Sequence, residues 1–262
     1  MNKPVSLRIS RIVEEAEGVK TFYFRHHIEA SPGQFLMVWL PGVDEKPVGV
    51  SYQDEASFAV TVRSVGPWSS RMHALEVGDI LGIRGPYGSS FSLEGELIIC
   101  VAGGYGAAPL AFLAEEAKKR GLEVDFVIGA RDESKLLFRE RLGSGGVNYL
   151  PATDDGSCGH HGFCTELLER RIQERSPDKV FAVGPEKMMK SVVTLCERYG
   201  IPVEVSLERY MKCGFGVCGQ CCVDDSGFRM CKEGPVLDQE KLKKVKEFGE
   251  YRRDAAGNLV RF

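Results

Sequence analysis

From Val5 to about Gly95 the hydrophobic residues fall in short alternating or β-branched runs: "VSLRISRIV", "TFYFR", "QFLMVWL", "SFAVTVRSV" and "ILGIRG". Glycine, proline and acidic turns separate them. Alternation with period two marks strands with one buried face, so this part of the chain predicts an antiparallel β domain closed as a barrel. The texture then changes. Apolar strands alternate with helical patterns: "LIICVAGG" then "PLAFLAEEAKKRG", "VDFVIGA" then "LLFRERL", "VNYLPATDD" then "FCTELLERRIQ", "KVFAVG" then "EKMMKSVVTLCERYG", and finally "PVEVSLE". Strand–helix alternation makes a parallel sheet with helices on both faces. From Arg209 onward neither period continues, and something other than a repeating apolar face must hold the segment together. The charged run "QEKLKKVKEFGEYRRD" reads most simply as a solvated helix face. The predicted organisation is multi-domain β plus α/β: an antiparallel β-barrel over residues 1–95, a parallel-sheet α/β domain over 96–207 and a small C-terminal domain over 208–262.

Composition narrows the function classes. A chain of 262 residues can bury two ordinary cores and carry a small appendage. A net charge of -3 supplies no basic field for wrapping nucleic acid. The start, "MNKPVSLRISRIV", reads as a strand rather than a leader, and no apolar run is long enough to span a bilayer, which predicts a cytoplasmic protein. Five of the nine cysteines lie between Glu208 and Cys231. In a reducing compartment such a cluster points to metal or redox chemistry before disulfides.

Cys213, Cys218 and Cys221 stand as C-x4-C-x2-C, with Cys231 ten residues further on. This is the plant-type ligand spacing for a 2Fe-2S cluster, in which a tight loop supplies three thiolates and a fourth arrives separately. Gly214, Gly216 and Gly219 would let the backbone turn sharply and bring amide N–H groups near the sulfurs. Zinc is the competing metal, although it usually takes two separated cysteine pairs. Cys222 is an alternative to Cys221, with the spacing favouring Cys221. A second loop, "CGHHGFC", offers Cys158, His160, His161 and Cys164 as another candidate metal site, supported by nothing else in the sequence.

"CVAGGYGAAPL" sets Gly104, Gly106 and Pro109 after a buried strand and at the start of a helix. Glycine allows close approach to a pyrophosphate, and the helix start offers unpaired N–H groups. As a bare strand–helix turn the motif would be unremarkable, but "AVGPEKMM" repeats the arrangement with Gly184 and Pro185 at a later strand end. A third strand ends in "PATDDGS", placing Asp154 or Asp155 where a carboxylate would accept from a ribose diol and repel an added 2'-phosphate. That predicts NADH over NADPH.

Together, "KPVGVS", "VGPWSSRM", "GDILGIRGPYGSSF", "AGGYGAAPL", "GARDESKLLF", "TDDGSCGHHGF", "VGPEKMM" and "MKCGFGVCGQCCV" carry a specific resemblance. The first two thirds of the chain resemble the ferredoxin reductase-like flavoproteins. With the cysteine segment included, the whole resembles the electron-transfer subunits of type B dihydroorotate dehydrogenases. That resemblance implies an FAD-binding barrel, an NAD(H)-binding sheet and a 2Fe-2S domain. The family's flavin motif Arg-Pro-x-Ser falls on Lys46, Pro47, Val48 and Gly49, so lysine replaces the forked arginine and glycine replaces the serine hydroxyl. Its second flavin strand matches Thr61, Val62 and Arg63, and its phosphate turn matches Gly66, Pro67, Trp68 and Ser69, with Ser69 expected as the helix cap.

The resemblance further implies an oxidoreductase component of pyrimidine biosynthesis with no catalytic acid or base of its own. Nicotinamide exchanges a hydride, a cluster one electron and a flavin either, so FAD belongs between the other two. The implied partner is an FMN-containing catalytic subunit, in a heterotetramer of two of each. The competing assignments are the flavin subunit of a sulfite reductase or sulfur-reducing hydrogenase and, from another class, a redox- or NAD-sensing module without flavin.

Overall fold

The computed structural model describes residues 3–262, so Met1 and Asn2 of the initial run lie outside the described residues. The first unit comprises β1 (Val5–Ala16), β2 (Val19–Phe24), β3 (Phe35–Leu40), β4 (Asp44–Gln53), β5 (Phe58–Arg63), helix α1 (Pro67–His73) and β6 (Ile80–Tyr87). The strands close into an antiparallel barrel in the order β1-β2-β5-β4-β3-β6. It has six strands where the hydrophobic pattern predicted five. The addition is β4, whose sequence "DEKPVGVSYQ" hides the alternating Val48 and Val50 behind a proline and two acids, with a bulge between Val50 and Tyr52 breaking the pattern. Phe22, Phe24, Phe58 and Leu36 fill the barrel interior with no exposed surface, and close packing of this kind fixes a shape without help from ligands.

The second unit alternates β7 (Leu97–Gly103), α2 (Ala107–Lys119), β8 (Glu123–Ala130), α3 (Arg139–Ser144), β9 (Asn148–Thr153), the two-residue β10 (His160–His161), α4 (Cys164–Glu174), β11 (Lys179–Val183), α5 (Glu186–Tyr199) and β12 (Val203–Ser206). All pairings among these strands are parallel. The last segment adds β13 (Val236–Asp238), the single-turn α6 (Gln239–Leu242), β14 (Tyr251–Arg253) and β15 (Leu259–Arg261). β13 joins the parallel sheet as an antiparallel edge beside β12, completing the order β10-β9-β8-β7-β11-β12-β13. The cysteine segment is therefore stitched back into the α/β core.

The expectation of a solvated helix at "QEKLKKVKEFGEYRRD" is corrected. Only Gln239–Leu242 is helical. Leu242, Val245 and Glu247 turn inward with 6%, 2% and 2% exposure. The reason lies in tertiary contact: Glu247 pairs with buried Arg209, a partner that charge patterning along the chain does not reveal.

Barrel and sheet are locked together. Phe112 of α2 is buried in the barrel's apolar cluster, and Pro109 lies 3.7 Å from where a Cβ on Gly49 of β4 would stand. Arg141 of α3 donates to Glu115 of α2 at 2.6 and 2.7 Å and to the carbonyl of Ser51 in β4 at 2.8 Å. Such an interface fixes what the two units present to each other.

Candidate cofactor cavity and thiol loop

A cavity of about 670 Å³ opens where barrel, sheet and C-terminal segment meet. Its barrel wall is Lys46, Pro47, Val48 and Gly49 of β4, Val62 and Arg63 of β5, and the turn Gly66, Trp68 and Ser69. Its sheet wall is Gly106, Pro109 and Val183. The remaining wall is Glu208, Arg209, Met211 and Arg252. The size suits a small-molecule site, and the location is the carboxyl rim of the parallel strands.

Several local conformations explain the motif residues. Trp68 anchors the turn by donating Nε1–H to the carbonyl of Asp44 at 3.2 Å. The expected cap is displaced: Gly66 precedes the helix and Pro67 opens it, which its missing N–H permits. Ser69 lies one turn in, and its Oγ accepts from the N–H groups of Val65 and Gly66 at 2.8 and 3.0 Å. On the sheet side, a Cβ on Gly106 would meet the carbonyl oxygen of Val183 at 2.2 Å, and one on Gly103 would meet Pro185 at 2.6 Å. The two glycine loops are therefore halves of one device, each needing the other's bare backbone. Tyr105 joins them to the barrel by donating its hydroxyl to the carbonyl of Thr61 at 3.0 Å, and burial pushes that phenol's pKa up.

Six of the residues predicted to contact flavin or nucleotide do not line the cavity: Thr61, Gly104, Asp154, Asp155, Gly184 and Pro185. Thr61 lies on the outer face of β5, opposite Val60 and Val62 that fill the barrel, and its buried hydroxyl meets those of Thr21 and Ser51, each at 2.9 Å. Gly184 and Pro185 sit behind Val183 against the first glycine loop. Asp154 and Asp155 lie on the exposed turn after β9, still on the sheet's carboxyl rim. The carboxylate of Asp155 is occupied, accepting from the N–H and hydroxyl of Ser157 at 2.9 and 2.6 Å, and those donors hold its pKa below the usual carboxylate range. Asp154 is exposed, and among the described residues no side chain or N–H donates to its carboxylate.

Sequence reasoning missed Tyr105, Val183, Glu208, Arg209, Met211 and Arg252. Glu208 and Arg209 follow a strand end on the ligand rim, a signal that could have found them; Arg252 gave none. Arg209 is buried and held between two acids, donating Nη1–H to Glu186 and Nε–H to Glu247, the latter at 2.6 Å. It also donates to the carbonyl of Glu208 at 2.8 Å, fixing the backbone of the cavity wall. Glu208 is exposed on the cavity side of the wall. Burial raises its pKa, Arg252 opposes that rise, and Glu186 adds to it.

Met211 is the last wall residue before the thiol loop. Gly214, Gly216 and Gly219 all have φ between 72° and 85°, the left-handed region that glycine enters without strain. A Cβ on Gly214 would strike Met37 of β3 at 2.7 Å, so the loop lies directly on the barrel. Backbone N–H groups aim at sulfur: Gly216 at Cys231 (3.1 Å), Val217 and Cys218 at Cys213 (3.4 and 3.5 Å), and Cys231 at Cys221 (3.4 Å). Burial raises Cys213, but the amides of Cys218, Phe215 and Val217 outweigh it and bring its pKa down to about 6. Burial and the neighbouring Cys221 push Cys231 up to about 12.

Cys221 is buried while Cys222 is exposed. Among the described residues, no three His, Cys, Asp or Glu side chains gather as a single-ion site. That includes the loop of Cys158, His160, His161 and Cys164, where His160 instead bonds Glu166 at 2.8 Å and Cys164 packs against Gly129.

A family model described as the iron-sulfur cluster binding domain of dihydroorotate dehydrogenase B matches residues 208–243. The chain is 49% identical over 99% of its length to a Methanocaldococcus jannaschii protein named "Probable dihydroorotate dehydrogenase B (NAD(+)), electron transfer subunit", covering 99% of that protein. A protein of the same name from Methanothermobacter thermautotrophicus is 50% identical, with 99% of this chain and 98% of that one covered. Among solved structures, a chain of the NADH-dependent reduced ferredoxin-NADP oxidoreductase superposes with a TM-score of 0.80 at 29% identity, over 92% of this chain and 93% of its own. The ferredoxin reductase of carbazole 1,9a-dioxygenase shares the fold, with a TM-score of 0.69 at 18% identity over 77% of this chain and 68% of that one. Among the described residues no helix is long and apolar enough to cross a membrane.

Proposed function

The chain belongs to the family of dihydroorotate dehydrogenase B electron-transfer subunits, and from that premise we propose how its residues divide the work. The protein is an oxidoreductase subunit of pyrimidine biosynthesis that passes electrons between NAD(H), FAD and a 2Fe-2S cluster, to or from an FMN-containing catalytic subunit. When bound, nicotinamide supplies a hydride, the cluster single electrons, and the flavin either. The sulfite reductase, hydrogenase and sensor alternatives are set aside by relatives at 49% and 50% identity along the whole chain.

Lys46, Pro47, Val48, Gly49, Val62 and Arg63 would form the FAD wall, and the turn would take its diphosphate on the N–H groups of Trp68 and Ser69, since Pro67 has none and that of Gly66 goes to Ser69. The departure at Gly49 is compatible with a flavin, because its site there is open: a Cβ would find only Pro109, at an ordinary 3.7 Å. Lys46 is paired with Asp44 at 2.5 Å, so its charge is already shared and Arg63 carries more of the phosphate's. Gly104 and Gly106 of the first loop, with Gly184 and Pro185 of the second, let the NAD(H) backbone approach. Asp154 is the carboxylate free for the ribose diol, Asp155 being taken by Ser157. Cys213, Cys218, Cys221 and Cys231 would hold the two irons of the cluster between them, a spacing that suits a 2Fe-2S centre better than a single zinc ion.

One observation carries this reading. Met211 lines the cavity, and Cys213 follows two residues later, a chain length of at most about 7 Å. A flavin held in the cavity and a cluster held by the loop would therefore be neighbours along the chain, as electron exchange between them needs. No general acid or base is required of the chain; its residues position the partners and exclude water between them. A heterotetramer with the catalytic subunit and a cytoplasmic location complete the proposal.

Purification without oxygen tests it. Bound FAD, iron and acid-labile sulfide in a 1:2:2 ratio are expected, with flavin bands that bleach on addition of NADH. Zinc in place of iron and sulfide, or flavin indifferent to NADH, would contradict it.

A further inference from the structure

The ribbon of β14 and β15 lies outside both sheets, with Arg252 opposite Val260. A two-stranded ribbon is marginal alone, so what fastens it decides where it points. Tyr251 donates its hydroxyl to Asp224 at 2.9 Å, and Arg253 donates Nε–H and Nη2–H to the same carboxylate at 3.0 and 2.9 Å. The chain entering the ribbon rides on the start of α5: Gly249 donates its N–H to Glu186 at 3.0 Å, and Glu250 pairs with Lys190. Side chains alternate along a strand. With Tyr251 and Arg253 both tied to Asp224, Arg252 must face the other way, and there it lines the cavity.

Four basic side chains line that cavity: Lys46, Arg63, Arg209 and Arg252. Lys46 is paired with Asp44, and Arg209 with Glu186 and Glu247. Arg63 belongs to the barrel wall. Arg252 makes no ion pair among the described residues; its guanidinium carbon stands 5.8 Å from the ring centre of Phe262, which props it. It arrives from the start of α5, where Gly249 bonds Glu186, the residue after the Gly184–Pro185 turn. The adenosine rim at Asp154 lies away from the cavity, so the part of a dinucleotide nearest Arg252 is the nicotinamide half. Glu208 on the same wall would repel a phosphate there, and a free cation offsets it.

We propose that Arg252 binds NAD(H), through the phosphate on the nicotinamide side of its diphosphate. This rests on the reading that the sheet's glycine loops hold NAD(H). The pinned ribbon makes Arg252 a fixed binding residue supplied from beyond the cluster-binding segment, which ends at residue 243.

Calorimetric titration of the oxidised, cofactor-loaded protein separates the possibilities. Arg252→Ala should weaken NAD+ and ADP-ribose by a similar factor, roughly ten- to a hundred-fold for a lost charge-assisted contact. AMP, which lacks that phosphate, should bind as before. FAD and iron content should not change, and Arg252→Lys should recover part of the loss. Unchanged NAD+ affinity in Arg252→Ala would overturn the proposal. So would an unaffected ADP-ribose, an equally weakened AMP, or loss of FAD, which would assign the cation to the flavin. If the unmodified protein bound no NAD+ at all, the underlying reading would fall first, and the proposal with it.

Discussion

The cavity wall and the thiol loop are joined at Met211 yet hold their shapes by different means. The wall is made of regular elements whose backs are buried: Val48 and Val62 of the barrel and Val183 of the sheet are 5% exposed or less. The loop that follows has no helix or regular strand until β13, only the isolated bridge between Cys222 and Arg229. It is held by N–H···S contacts, by Gly214 seated on Met37, and by Arg209 and Glu247 at its flanks. A packed wall exists before its ligand arrives. A loop that turns four backbone N–H groups toward its thiols, beside contacts from Arg229 to Glu233 and Gly216, depends on metal for part of its order. Nucleotide binding and cluster binding should therefore be separable by mutation, although the two sites are neighbours.

The largest effect should come from the thiols. Replacing Cys213, Cys218, Cys221 or Cys231 by Ala should remove nearly all of the 2Fe-2S absorption and the amide protection of residues 212–235. FAD content and the barrel's unfolding transition should persist. Cys222→Ala should leave the cluster intact. Loss of FAD together with the cluster would break the comparison.

Arg209→Met attacks the join itself. It leaves Glu186 and Glu247, 6% and 2% exposed, without their cation, and breaking a buried pair on one side typically costs about 3–5 kcal/mol. Denaturant unfolding should show that loss, with the cluster released before the flavin. A change below 1 kcal/mol would mean that water reaches the two acids.

Asp154→Asn should narrow the preference for NADH over NADPH by about tenfold, the scale of one charged hydrogen bond. Asp155→Asn should narrow it less, since that carboxylate serves Ser157. Flavin reduction rates with both nucleotides measure this, and equal rates in the unmodified protein would dismiss the placement.

The smallest effect is a pH dependence of the C-terminal ribbon. Arg253 and then Tyr251 hold the carboxyl of Asp224 below its ordinary value. A depressed carboxyl contributes stability above the unfolded value near ~3.9 and loses it as pH falls through the lowered folded value. Amide exchange in residues 250–262, relative to the barrel, should thus rise only below about pH 4 in the unmodified protein. In Asp224→Asn it should already be fast at pH 7. Identical exchange in the two proteins would show that the pin is idle.

The sequence made the wall more legible than the loop's surroundings. Regular alternation betrayed five barrel strands and the parallel sheet, because burial on one or both faces leaves a periodic trace. β4 escaped because Pro47 and Gly49, which line the cavity, are the residues that disguise a strand. β13 escaped because three residues carry too little pattern. The cysteine spacing stood out, since ligand geometry constrains sequence locally. What stayed invisible depends on contacts made across the fold: the displacement of Ser69 from the cap, the inward turn of Glu247 towards Arg209, and the delivery of Arg252 to the cavity. Asp154 and Asp155 could not be told apart until Ser157 was seen to occupy one of them.

The central claim is that nicotinamide chemistry belongs to the cavity and the outward passage of electrons to the loop. Reconstitution of Cys218→Ala with the FMN-containing catalytic subunit tests it most directly, by following dihydroorotate oxidation against NAD+ reduction alongside NADH bleaching of the bound FAD. Bleaching at the unmodified rate with coupled turnover abolished is the result expected. Coupled turnover that continues without the cluster would show that electrons leave the cavity by another route.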